Sequence, residues 1–88
     1  MMKGAKFGEA VEELKAGRKV WREGWNGKGM WLTLVHGWDM PESDQRSVID
    51  ELETLPWIGM KTAQDQFVPW LASQTDVLAE DWCSDRVY

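Results

Sequence analysis

The sequence predicts an α+β domain, a small antiparallel sheet with an N-terminal helix packed on one face. Three observations carry this. A segment near the N-terminus repeats its apolar residues at helical spacing and ends on glycine. The later segments rich in tryptophan, valine, isoleucine and leucine are short and separated by glycine-rich or polar turns, the pattern of strands. At 88 residues and 43% apolar content, the chain is large enough for one thin core and too apolar for a disordered segment.

In chain order, Phe7, Ala10, Val11 and Leu14 form one apolar stripe and Glu9, Glu12, Glu13 and Lys15 the opposite face. A helix is therefore expected over 7–16, with Gly17 as its C-terminal cap. "RKVWR" (18–22) reads as a short strand, "EGWNGKG" (23–29) as a loop, and "MWLTLV" (30–35) as a strand. In that strand Trp31, Thr33 and Val35 face one way, and Met30, Leu32 and Leu34 the other. Segment 36–55 has helical spacing at Val48, Leu52 and Leu55, with an acidic loop as the alternative. "PWIGMKT" (56–62) reads as a strand, 63–66 as a turn, and "FVPWL" (67–71) as a strand at the sheet edge, because Pro69 has no N–H to donate. A polar loop over 72–76, a helical turn over 76–80 and a last strand over 80–84 complete the chain. It is organised as a single domain, 1–88, without repeat or linker.

The net charge of −5 disfavours non-specific binding to DNA, RNA or anionic membranes, which select basic surfaces. Cys83, the one cysteine, fits a reducing cytoplasm, and no apolar run has the length of a signal or membrane span. The expectation is a soluble cytoplasmic protein. Seven tryptophans exceed what so small a core encloses, since each indole buries about 150–250 Å². One helix also leaves the second face of the sheet open, so a ligand pocket, a subunit interface, or both are expected on the remaining aromatic surface.

Two stretches combine aromatic faces with hydrogen-bonding groups. In "GWNGKG" the glycine N–H groups, the Asn26 amide and Lys28 are suited to phosphate oxygens, although the spacing is not that of a P-loop. The bland alternative is a hairpin loop that binds nothing. In "PWLASQTD", Trp70 offers a stacking face, and Ser73, Gln74, Thr75 and Asp76 offer donors and acceptors, with Asp76 suited to a ribose diol. Here the alternative is that Trp70 is core and that Thr75 or Asp76 caps the following helical turn. Catalytic and metal readings are weak. His36 is the sole histidine, Glu80 and Asp81 are adjacent and would point apart on a strand, Cys83 sits among groups that raise a thiol pKa, and acidic segment 39–53 lacks EF-hand spacing.

"FGEAVEELKAGRKV", "REGWNGKGMWL", "MKTA" and "VPWLASQTDVLAEDW" together closely resemble the second Thoeris anti-defence family of phage and prophage proteins. The resemblance covers 7–36 and 56–82, about two-thirds of the chain, and leaves 37–55 as a variable segment. It implies a non-enzymatic sponge without cofactor or metal. Such a protein sequesters the cyclic ADP-ribose isomers made by bacterial TIR-domain proteins, and in some members the cyclic dinucleotides of CBASS defence. It also implies a homotetramer with ligand sites shared between protomers. Carried onto this chain, the glycine-loop motif places Trp25, Asn26, Gly27 and Met30 near the nucleotide, and the C-terminal motif places Trp70, Ser73, Gln74, Thr75 and Asp76 there. Two other classes compete with a sponge. An enzyme would return a cleaved signal, and an acidic protein that inhibits a host partner directly would capture that partner without any small molecule.

Overall fold

The computed structural model of the chain describes residues 1–25, 29–36 and 55–87. The order of elements is β1 (Met2–Ala5), α1 (Phe7–Lys15), β2 (Val20–Arg22), a 3-10 turn (Glu23–Trp25), β3 (Trp31–Val35), β4 (Trp57–Lys61), β5 (Phe67–Pro69), α2 (Gln74–Leu78) and β6 (Trp82–Ser84). Among the described residues the strands form one antiparallel sheet in the order β1-β6-β2-β3-β4-β5. This is the α+β arrangement that the sequence predicts.

α1 forms where the apolar stripe requires it. The Glu9 carboxylate accepts the Lys6 amide at 3.1 Å at its start. At its end, Gly17 at φ +86° lets the Gly17 and Arg18 amides close back on the carbonyls of Leu14 and Glu13, each at 3.0 Å. Ala10 and Leu14 are buried against Met2, Ala5, Val20, Leu32 and Trp82, which together form the core between α1 and the sheet. Glu13, also buried, is satisfied by the Ser84 hydroxyl at 2.7 Å and by Arg18 at 3.3 Å.

Register fixes which side chains share a face. Val20 lies opposite both Leu32 and Ser84, and Leu32 lies opposite Met60. These residues point to α1, as do Arg22, Leu34, Ile58 and Trp82 by alternation. Trp21, Trp31, Thr33, Val35, Trp57 and Lys61 face the other way, so the alternation expected over Trp31–Val35 is observed, while Met30, expected on the Leu32 side, precedes β3 and lies with Trp21 and Trp31. No described helix covers this second face. At its edge the Trp57 and Phe67 rings meet at 6.0 Å between centroids, over Gly59. Pro69 falls in β5, the edge strand, as its missing N–H requires.

Three details differ from the sequence-based expectation. β1 was not expected. Its buried residues, Met2 and Ala5, flank an exposed pair, and its pairing to β6 shifts register between them, so it has no alternating pattern. Residues 23–25 form a 3-10 turn within the expected loop. The second helix is Gln74–Leu78 rather than 76–80: Gln74 and Thr75 are helical rather than loop, and the cap is Ser73 rather than Thr75 or Asp76. The helix-or-loop alternative for 36–55 falls almost wholly outside the described residues.

Candidate functional site

Trp82 organises the region to which both candidate stretches belong. It is fully buried, and three rings pack around it: Phe7 at 5.5 Å, Trp25 at 5.6 Å and Trp70 at 6.1 Å between centroids. The Trp25 and Trp70 contacts are edge-on, at interplanar angles of 77° and 86°, the favourable geometry for aromatic quadrupoles. Trp25 comes from the turn after β2, and Trp70 from the segment between β5 and α2. The fold thus brings the two stretches, distant in sequence, onto one indole. Both outer tryptophans are half-buried and pack against the core cluster.

The polar groups beside them are mostly engaged with one another. Ser73 caps α2. Its Oγ accepts the Asp76 amide at 3.1 Å and donates to Asp76 Oδ2 at 2.7 Å, and its own amide donates to the same oxygen at 2.9 Å. Thr75 Oγ1 lies 2.8 Å from Ser73 Oγ. Gln74 and Thr75 are exposed on the outer side of the turn, while Asp76 is buried. The Trp82 indole N–H donates to the Asp76 carbonyl at 3.0 Å and ties α2 to the ring cluster.

An ion-pair network joins the same region. Arg22 Nη1 donates to Asp76 Oδ1 and Arg22 Nε to Asp81 Oδ1, each at 2.9 Å, and the Gly24 amide donates to Asp81 Oδ2 at 2.8 Å. Burial raises the pKa of Asp76, but the Ser73 amide and hydroxyl and the Arg22 guanidinium outweigh it, so the carboxyl is held below its ordinary range. The hydrogen bond from Arg22 holds Asp81 low against its partial burial, with the Gly24 amide adding to the effect. Arg22 and Asp81 were not among the sequence candidates. From the sequence, adjacent Glu80 and Asp81 read only as a poor carboxylate pair, whereas the partner of Asp81 is a cation far along the chain.

Met30 lies apart from the Trp82 cluster. Among the described residues it lines, with Trp21, Gly29 and Trp31, a groove of about 280 Å³ that opens beside the second face of the sheet. Lys19 Nζ lies 4.3 Å from the centroid of Trp31, a cation–π contact, and Lys61 Nζ donates to the Gly29 carbonyl at 3.0 Å. Asn26 and Gly27 lie outside the described residues. Burial pushes the Cys83 thiol up, with the charge of Glu23 second, so the expected direction is observed and its main cause is burial. Among the described residues no group of three His, Cys, Asp or Glu side chains is placed to hold a metal, and no helix is long and apolar enough to cross a membrane.

Fold and site together define a small α+β module whose two candidate segments, rich in aromatic and hydrogen-bonding groups, meet at a shared indole. The chain belongs to the Thoeris anti-defense 2-like family, whose model, Tad2-like, matches residues 5–84. It is 48% identical over 80 residues to the protein named Thoeris anti-defense 2 of Bacillus phage SP01, a match that covers 86% of this chain and 89% of the phage protein. Membership assigns the chain an anti-defence role.

Proposed function

We propose that the protein is a sponge for cyclic nucleotide immune signals. It binds glycocyclic ADP-ribose isomers in the host cytoplasm and holds them uncleaved, so that Thoeris immunity is not triggered. The observation that carries this is the family match, whose span, residues 5–84, includes both candidate segments. The ring cluster is consistent with it, because Trp25 and Trp70 are only half-buried and an indole suits stacking of an adenine, at about 1–3 kcal/mol per base–aromatic contact. Ser73, Gln74, Thr75 and Asp76 supply the polar edge of the pocket, and Asn26 and Gly27 are the further glycine-loop residues we assign to the nucleotide, whereas Met30 lines the separate groove with Trp21 and Trp31. No catalytic group is invoked.

Capture by mass action requires tight binding, and nanomolar affinity corresponds to about −12 kcal/mol. A pocket held between rigid subunits meets this requirement with little ordering cost. We place the protein in a homotetramer whose contacts cover Trp21, Trp31, Trp57 and Phe67 on the face opposite α1. Calorimetric titration with cyclic ADP-ribose isomers and with cyclic dinucleotides tests the sponge and shows whether the signals of CBASS are also held. The expected result is submicromolar binding of at least one cyclic ADP-ribose isomer, with intact ligand released on heat denaturation. Cleaved ligand, or no binding across the panel, would overturn it. Light scattering is expected to give a mass near four chains.

A further inference from the structure

We propose that Arg22 is a positioning residue. Its guanidinium braces the Glu23–Trp25 turn, at the start of the glycine-loop segment, against the α2 segment, so that turn and helix are held in one arrangement before any ligand arrives. The proposal rests on the assignment of these two segments as walls of the nucleotide site.

The hydrogen bonds form an unbroken chain. The Gly24 amide donates to one oxygen of Asp81, and the other oxygen of Asp81 accepts Arg22 Nε. Arg22 Nη1 donates to one oxygen of Asp76, whose other oxygen accepts both the amide and the hydroxyl of Ser73. Every link has an ionised partner, which shortens and strengthens it relative to a neutral pair. The side chains of Arg22, Asp76 and Asp81 are 20%, 12% and 29% exposed, so the network is only weakly screened. Arg22 is the last residue of β2 and lies opposite Trp82 on β6, which roots the brace in the sheet beside the ring cluster.

Two consequences distinguish this network from an ordinary ion pair. The first is that arginine is required. One planar fork reaches two separate carboxylates, whereas a lysine ammonium is a point charge on a flexible stem. The second is that Asp76 acts through Arg22 and Ser73. Its Oδ2 is filled by two donors from Ser73 and its Oδ1 faces the guanidinium, so its contribution to a ribose is to hold Ser73, Gln74 and Thr75 in place rather than to bond the sugar itself.

The test is amide hydrogen exchange on the ligand-free full chain, combined with titration of a glycocyclic ADP-ribose. In Asp76→Asn the Gly24 amide is expected to exchange about tenfold faster, although Asp76 is not bonded to Gly24; a tenfold change corresponds to about 1.4 kcal/mol of opening free energy. Arg22→Lys keeps the charge and is expected to show the same loss at Gly24 and at Ser73. If loosening stays confined to the segment that carries the substitution, or if Arg22→Lys protects both segments as the native chain does, the brace is refuted. Should Asp76→Asn fail to fold, Asp81→Asn gives the reverse readout, faster exchange at the Ser73 amide, with the same two outcomes. In the ligand arm, Arg22→Lys is expected to bind about tenfold more weakly with its assembly mass unchanged. Equal affinity despite lost protection would overturn the positioning role. If the native chain itself does not bind the nucleotide, the sponge assignment fails while the exchange arm still decides the brace.

Discussion

Replacement of Trp82 by phenylalanine tests whether the two candidate segments rest on one indole. The site is completely buried, so the lost atoms leave a cavity rather than a hydrated surface. Phenylalanine lacks three of the heavy atoms of the side chain, two of them carbon, and at about 0.8 kcal/mol per buried carbon the lost burial costs about 1.5 kcal/mol. The indole N–H bond to the Asp76 carbonyl is lost as well. That carbonyl keeps the Ala79 amide at 3.4 Å, so it is not orphaned and the added cost stays near about 1 kcal/mol. The sum is about 2–3 kcal/mol, which in a domain of this size lowers Tm by roughly 10–20 °C. Thermal unfolding followed by far-UV circular dichroism measures the shift, and the edge contacts of Trp25 and Trp70 with Trp82 make near-UV dichroism a second readout. A Tm drop below about 4 °C with an unchanged near-UV spectrum would refute Trp82 as the shared support.

The carboxyls of Asp76 and Asp81 are both held below their ordinary values in the folded chain, so their contribution is fully present above the unfolded carboxylate pKa, about 3.9, and is lost as pH falls through the lower folded values. The urea midpoint is therefore expected to fall steeply below about pH 4, and Asp81→Asn to flatten that fall; an identical acid profile in the variant would contradict the assignment. At Gly59 an added Cβ would run into the Phe67 ring and press on Trp57, so Gly59→Ala is expected to destabilise by about 1–3 kcal/mol in chemical denaturation, and Gly59→Ala with Phe67→Ala to recover part of it.

What the sequence reveals follows the range of the interactions involved. α1, β3 and the edge position of β5 are legible because their signals are local: a 3.6-residue stripe closed by Gly17, a short apolar run at Trp31–Val35 following a glycine-rich loop, and a proline without a ladder donor. β1 is hidden because its two inward residues are separated by an irregular pair that breaks the alternation. The cap at Ser73 lies just upstream of the expected one because Ser73, Thr75 and Asp76 are all acceptable caps, and only the reciprocal bonds of Ser73 with Asp76 settle which is used. The Arg22 brace is illegible in principle from spacing, since its partners lie 54 and 59 residues away and the sheet order β6-β2 creates the proximity.

The tryptophans show the same division. Their number announces an aromatic surplus but not its distribution, because an indole in a core and one on an open face have the same local pattern. The sheet sorts the six that are described. Trp82 faces α1 and is sealed, while Trp25 and Trp70 lean on it from two sides and keep partial exposure. Trp21, Trp31 and Trp57 project from the opposite face, where, among the described residues, Lys19 packs on Trp31 and Phe67 on Trp57. A substitution on the first group therefore acts on the core and on both candidate walls together, through the shared indole. One on the second group acts on whatever packs against the open face. Trp70→Ala and Trp57→Ala, compared for Tm, assembly mass and nucleotide affinity, separate these effects. Trp70→Ala is expected to weaken affinity while the mass is retained, and Trp57→Ala to lower the mass first. The reverse order would mean that the roles of the two faces have been exchanged.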